Sequence, residues 1–303
     1  DADAAESGEP SPEKPDYDPT DLTALKTLTE MMAGDIPSAA ELLQGAPVDW
    51  VVLKKDEKVI VTTPVFPRPD TIAKLEAAVE AEFKGKRPKD AEEREAFARQ
   101  REEMMKLNIH VLGKTDNPEY KVHAKFVDKI VYHEDLMLER TKLLMEEGVK
   151  DKDKMAVAFE MLDRLERRVP DWPGVDDVKH RLLYYEALHR LETNEPEAAL
   201  AYLEDLHLVQ PDYPNLFEKL GEVADMLIDT GYRGGDYRRS RYFVTRLRAV
   251  EPQQPVALRW PRALADKAAE IRQEALAAFD AHRFGEAAER LTLAASIRLP
   301  GAG

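Results

Sequence analysis

Two kinds of hydrophobic spacing divide this chain. Asp49-Trp50-Val51-Val52-Leu53 and Lys58-Val59-Ile60-Val61-Thr62-Thr63 are short apolar, β-branched runs around a polar Lys-Asp-Glu turn, the pattern of a β-hairpin. Pro64, Pro67 and Pro69 end it. Asp70 is placed to cap a helix that carries Ile72, Leu75, Val79 and Phe83 on one face. Asp90, with Glu93 three residues on, resembles a capping box and opens a very polar helix to about Lys106. Leu107, Ile109 and Val111 then alternate with Asn108 and His110, the period of a third strand. With a short helix over Leu22 to Met32, residues 21–117 read as a small α+β module of hairpin, two helices and one strand.

From Pro118 onward the spacing is helical throughout. Asn117 can cap and Pro118 suits a first helical position, so a long helix to about Gly148 is expected to join the two parts. Beyond it a repeat is visible. Pro170, Pro211 and Pro252 stand 41 residues apart, and each is followed three residues later by Pro173, Pro214 or Pro255. Twelve residues before each first proline are Ala158, Ala199 and Ser240, all small. Eight before are Leu162, Leu203 and Val244, and five before are Leu165, Leu206 and Leu247. These offsets trace one helical stripe. A fourth copy, Ala287, Leu291 and Ala294, fits with Leu299 in the proline place. Small residues let helices approach closely, larger apolar ones fill the seam, and proline ends the helix. The pattern resembles the tetratricopeptide (TPR) repeat, with Ala187 and Ala275 at the close contact of the preceding helices. Its period is 41 instead of 34, and most of the first-helix signature is missing. The expected fold is mainly α, a TPR-like α-α solenoid over 118–303 of eight helices in four hairpins.

The stripe is core, so function belongs on the other surface. In TPR-like arrays the first helix of each hairpin lines a concave face. Counting from Ala187 places Arg181, Tyr184 and Leu188 there, and counting from Ala275 places Arg272 and Phe279; all five serve equally well as ordinary surface or seam residues. The Lys/Asn set that clamps a C-terminal carboxylate in some chaperone-binding repeats is not among them.

Composition narrows the chemistry. The net charge is −15, and eight acids against one base in residues 1–21 supply half of it. A segment so acidic and so poor in bulky apolar residues cannot offset its ordering entropy, so 1–20 reads as a disordered tether. Acidity argues against nucleic acid, whose phosphates require clustered Lys and Arg. No apolar run approaches the roughly 18 residues of a membrane span. The absence of cysteine excludes disulfides and thiolate chemistry. The chain opens on Asp1, which suggests removal of a leader or a cloned boundary. His133-Glu134-Asp135 is the densest ligand cluster, but helix neighbours diverge and a helix turn with one buried histidine is the simpler reading. Gly234-Gly235 before Arg238, Arg239 and Arg241 could receive an anion, or could relax a turn beside an arginine-coated face. No catalytic set, cofactor site or metal site is nominated.

Three segments together carry a further resemblance: 49–53 with 64–71, 129–138 (Lys-Ile-Val-Tyr-His-Glu-Asp-Leu-Met-Leu), and Pro170-Asp171-Trp172-Pro173-Gly174. In this order they resemble the TPR-bearing N-terminal region in front of some bacterial peptide-type extracellular solute-binding proteins. The resemblance implies an exported, periplasmic, non-enzymatic scaffold associated with an ABC transport system. The solute-binding lobes are absent, so no ligand residue carries over. A cytoplasmic TPR adaptor that binds a peptide in its groove is the alternative, and an enzyme or ligand-binding module using a polar pocket in the N-terminal part is a third. The last hairpin ends in apolar Leu291, Leu293, Ala294, Ile297 and Leu299, so the last helix, about 285–297, is expected to pack on a downstream solute-binding domain beyond residue 303 or on another chain, a second copy included. The tether reading has a direct check: deleting residues 1–20 should leave helicity and melting temperature nearly unchanged, and a clear fall in melting temperature would contradict it.

Overall fold

The computed structural model describes residues 25–113 and 119–298. The acidic tether, the Asn117–Pro118 helix start and Leu299 lie outside them. The chain is mainly helical with a small sheet component and divides into two compact units, 1–140 and 141–303.

The first unit begins with two short helices, α1 (Leu28–Gly34) and α2 (Ala39–Gln44), each opened by a capping box, Thr27 with Glu30 and Ser38 with Glu41. The hairpin forms as β1 (Asp49–Leu53) and β2 (Val59–Thr62). Asp56 and Glu57 at its tip have φ of 56° and 49°, and Lys58 donates its N–H to the Lys55 carbonyl across them. All of β1 is buried because it is the central strand of the order β2-β1-β5. This explains why its apolar residues run on without alternating. Helix α3 (Ile72–Phe83) is capped by Thr71, with the neighbouring Asp70 paired to Lys74 instead. Asp90 caps α4 (Ala91–Met104), which buries no residue. Strand β3 (Lys106–His110) buries Leu107 and Ile109 as its alternation demands.

The reading of 119–131 as helix is overturned. Residues 119–123 form β4, which pairs with β3 from Lys106↔His123 to His110↔Glu119. After a short 3-10 turn, β5 (Val127–Val131) pairs with β1. Val127, Ile130 and Val131 are spaced by three and four residues, which imitates a helix. In the sheet they are compatible because the β1–β5 register shifts between Val52 and Leu53, and such an irregularity breaks strict alternation. Helix α5 (His133–Gly148) starts only after this strand, and the boundary between the two units falls inside it.

The second unit holds α6 (Lys152–Arg168), α7 (Val175–Glu192), α8 (Pro196–Val209), α9 (Leu216–Arg233), α10 (Tyr237–Val250), α11 (Pro255–Asp280) and α12 (Phe284–Ile297). The described residues from 150 to 298 contain no strand, and with α5 there are eight helices among the described residues, the expected number, of which six form the three hairpins below. Each of the pairs α7–α8, α9–α10 and α11–α12 packs together, and α8 meets α9 as α10 meets α11.

The 41-residue period is present in the backbone itself. Val169, Gln210 and Glu251 end α6, α8 and α10 with φ of −144°, −147° and −133° and ψ of 76°, 78° and 82°. Each donates its N–H to the leucine four residues back, Leu165, Leu206 or Leu247. Gly174 and Asn215 open α7 and α9 in the left-handed conformation, and Asn194 and Gly235 adopt it in the turns inside the hairpins. Glycine and asparagine tolerate this region best.

The stripe is buried: Ala158, Ala199, Ser240 and Ala287 are at most 2% exposed, as are Leu165, Leu206 and Leu247. In the middle hairpin Ser240 donates its hydroxyl to the Ile228 carbonyl at 2.8 Å, and a Cβ on Gly231 would lie 2.7 Å from that hydroxyl. The fourth copy departs from the pattern, since Leu291 is 43% exposed. Ala199→Leu should destabilise the protein by about 1–3 kcal/mol through overpacking; an unchanged urea midpoint would show that the seam has room.

Candidate functional site

The five groove residues read from sequence are not brought together. Arg181, Tyr184 and Leu188 are half-buried on α7, while Arg272 and Phe279 are exposed on α11. Arg181 forms an ion pair with Glu146 and lies over the Tyr185 ring. Tyr184 packs on the core and stacks against Tyr213 at 5.2 Å, and burial raises the pKa of both phenols. Phe279 meets Phe284 edge-on at 5.3 Å. Of the five, only Arg272 lines either of the two clefts below.

The first cleft lies between α9 and α11 and encloses about 600 Å³. Its wall is Asp225, Met226, Asp229, Tyr232 and Arg233 from α9 and Arg259, Trp260 and Ala263 from α11. Trp260 donates its indole N–H to Asp225 at 2.6 Å, and Arg259 pairs with the same carboxylate. Tyr232 packs on Trp260 at 5.3 Å. Sequence reasoning missed this wall because the middle hairpin has Ile228 where Ala187 marks the close contact of its predecessor. The period itself carries the signal: Asp225 and Asp229 are the 41-residue counterparts of Tyr184 and Leu188.

The second cleft, about 590 Å³, lies between α11 and α12. Its floor is Ala265, Ala268, Ala269, Ala294 and Ala295, and its rim is Arg272, Gln273, Leu276, Leu291 and Arg298. Arg272 and Arg298 have no ion-pair partner among the described residues.

The arginines after Gly234-Gly235 hold helices together instead of receiving an anion. Asp236 already caps α10. Arg239 and Arg246 pair with Glu197 and Glu204 of α8, and Arg238 and Arg241 bond to Ser296 of α12.

In the first unit the segments 49–53, 64–71 and 129–138 meet in one buried cluster. Asp49 accepts the Val65 N–H and the His133 N–H, both at 2.9 Å. Arg68 pairs with the buried Glu134 and lies 4.5 Å over the Tyr132 ring, whose hydroxyl donates to the Pro69 carbonyl. Asp135 accepts the Tyr132 N–H. The side chains of Glu134 and Asp135 thus have structural partners, and among the described residues no group of three ligands could hold a metal. The third hypothesis required a polar pocket between the hairpin and α3. The cleft beside α3, about 500 Å³, instead lies against α4 and is crossed by the pairs Arg101–Glu80 and His123–Glu102.

Burial raises the Asp49 carboxyl above its ordinary range, against the two N–H donors that lower it. A carboxyl with a raised folded pKa contributes stability below the unfolded pKa and loses it as pH rises through the folded one. Asp49→Ala strands two buried N–H groups and should cost about 2–5 kcal/mol; Asp49→Asn keeps one acceptor and should cost less. The gap between wild type and Asp49→Asn should be widest at acid pH and narrow as pH rises, which denaturation at several pH values will check.

No described helix is long and apolar enough to cross a membrane. Comparison with protein-family models, with curated proteins and with solved structures finds no match.

Proposed function

We propose that the helical unit is a TPR-like scaffold that holds another protein, in a non-enzymatic, exported protein allied to a peptide-type solute-binding transport system. The observation that carries this reading is the 41-residue structural period, with its repeated caps and left-handed turns, because stacked repeats of this kind present extended surfaces for binding. The resemblance of three segments to the region in front of peptide-type solute-binding proteins supports the transport association. Two of those segments form the two sides of the Asp49 cluster, which supports treating them as one motif.

A second reading is favoured by one feature. The α9–α11 cleft combines Trp260 and Tyr232 with the charges of Asp229 and Arg233, a composition suited to a peptide. That supports a cytoplasmic adaptor that binds a segment in its groove.

Photo-crosslinking in the organism that encodes the protein separates these readings. A crosslinking residue at Met226 or Arg233 should yield a polypeptide adduct, whereas one at Glu95 on α4 should not. Recovery of that adduct in the exported fraction supports the transport-associated scaffold, and recovery in the cytosol alone favours the adaptor. Absence of adducts at both groove positions would overturn both.

A further inference from the structure

The α11–α12 cleft has internal counterparts that show what it is shaped to take. By the 47-residue offset of the last hairpin, Ala268 and Arg272 stand at the places of Gly221 and Asp225, and Leu291 and Ala294 at those of Val244 and Leu247. Gly221, Val244 and Leu247 are buried, and the last two share one core with Ala257, Trp260 and Leu264 of α11. Helix α11 packs on both α9 and α10. Its anchors Ala257, Trp260 and Leu264 fall on one helical face, and Arg259 pairs with Asp225 beside them. The earlier hairpin is therefore a seat occupied by an amphipathic helix, held by apolar anchors and one charge pair.

Among the described residues no helix occupies the corresponding seat on α11 and α12. Leu276 and Leu291 stand 51% and 43% exposed at its rim. Ala294 replaces Leu247 on its floor, which leaves space for a large side chain from above. The charge requirement is also inverted. Where the earlier seat presents Asp225 to an arginine, this one presents Arg272 and Arg298, which have no ion-pair partner among the described residues. Most other arginines of the hairpins have carboxylate partners, among them Arg190, Arg233, Arg239, Arg246, Arg283 and Arg290.

We propose that this cleft is a docking seat for an acidic amphipathic helix of a partner protein, with bulky apolar anchors at i, i+3 and i+7 and carboxylates facing Arg272 and Arg298. A second copy of this face is the wrong occupant, because a two-fold contact would oppose the same arginines. This inference rests on the scaffold reading and names the surface and the chemistry of its partner.

The test uses the full chain and two labelled synthetic helices with identical Trp/Leu anchors, one carrying Glu on its flanks and the other Lys. Fluorescence anisotropy should show the Glu peptide binding about tenfold or more tightly than the Lys peptide at low salt, a difference worth roughly 1.4 kcal/mol. The double charge reversal R272E/R298E should invert that preference. Both arginines are exposed, so helicity should not change. Leu291→Asp should weaken both peptides. Equal binding of the two peptides, or a preference indifferent to the charge reversal, overturns the proposal. Self-association that Leu291→Asp abolishes, with no peptide binding, also overturns it and makes a second copy the occupant. The scaffold reading is judged separately, by crosslinking at Met226 and Arg233, so adducts there with no peptide binding would sink the seat alone.

Discussion

The helical unit depends on a steric constraint at its seams. Ala158, Ala199 and Ser240 are fully buried where successive helices approach most closely, and nothing larger than a methyl or hydroxymethyl group stands at these points. Because the approach is close, Leu165, Leu206 and Leu247 can reach the next layer, and the chain must reverse within a few residues at each end. The left-handed residues and the proline-bearing turns meet that second demand. Apolar packing supplies most of the adhesion, while the Arg–Glu pairs between α8 and α10 are partly exposed and contribute less.

The first unit is organised differently. Its sheet is small, and a single carboxylate does the work of several contacts. Asp49 sits at the start of β1 and holds both the loop after β2 and the first turn of α5. Two groups of residues far apart in sequence thereby share one acceptor, which fixes where α5 begins.

The legible parts of the sequence were those governed by local spacing. The hairpin, the Asp90 cap, the alternation of Leu107 and Ile109, and the 41-residue stripe all reflect contacts that recur at fixed offsets. The strands β4 and β5 were not legible, because Val127, Ile130 and Val131 carry the spacing of a helix and only their pairing with β1, some 80 residues earlier, makes them a strand. The grooves were partly legible. Counting from Ala187 and Ala275 located Arg272, which does line a cleft. It could not locate Trp260 or Asp225, since their roles arise from one hairpin meeting the next. Arg181 and Tyr184 proved to be occupied by Glu146 and Tyr213, partners that sequence spacing does not reveal.

The matching turns also bear on how such a chain can change length. Gly174 and Asn215 occupy the same conformation at equivalent points, as do Asn194 and Gly235. Removing or duplicating one 41-residue stretch between equivalent points would join a helix to a turn that already suits it, and would set each new face against a neighbour of familiar shape. Growth and loss in whole periods therefore require no new junction, whereas an insertion of any other length inside a helix would shift every seam residue beyond it in that helix. The 47-residue offset of the last hairpin, with its longer α11 and His282 in the left-handed position, shows the same turn rebuilt after a departure from that rule.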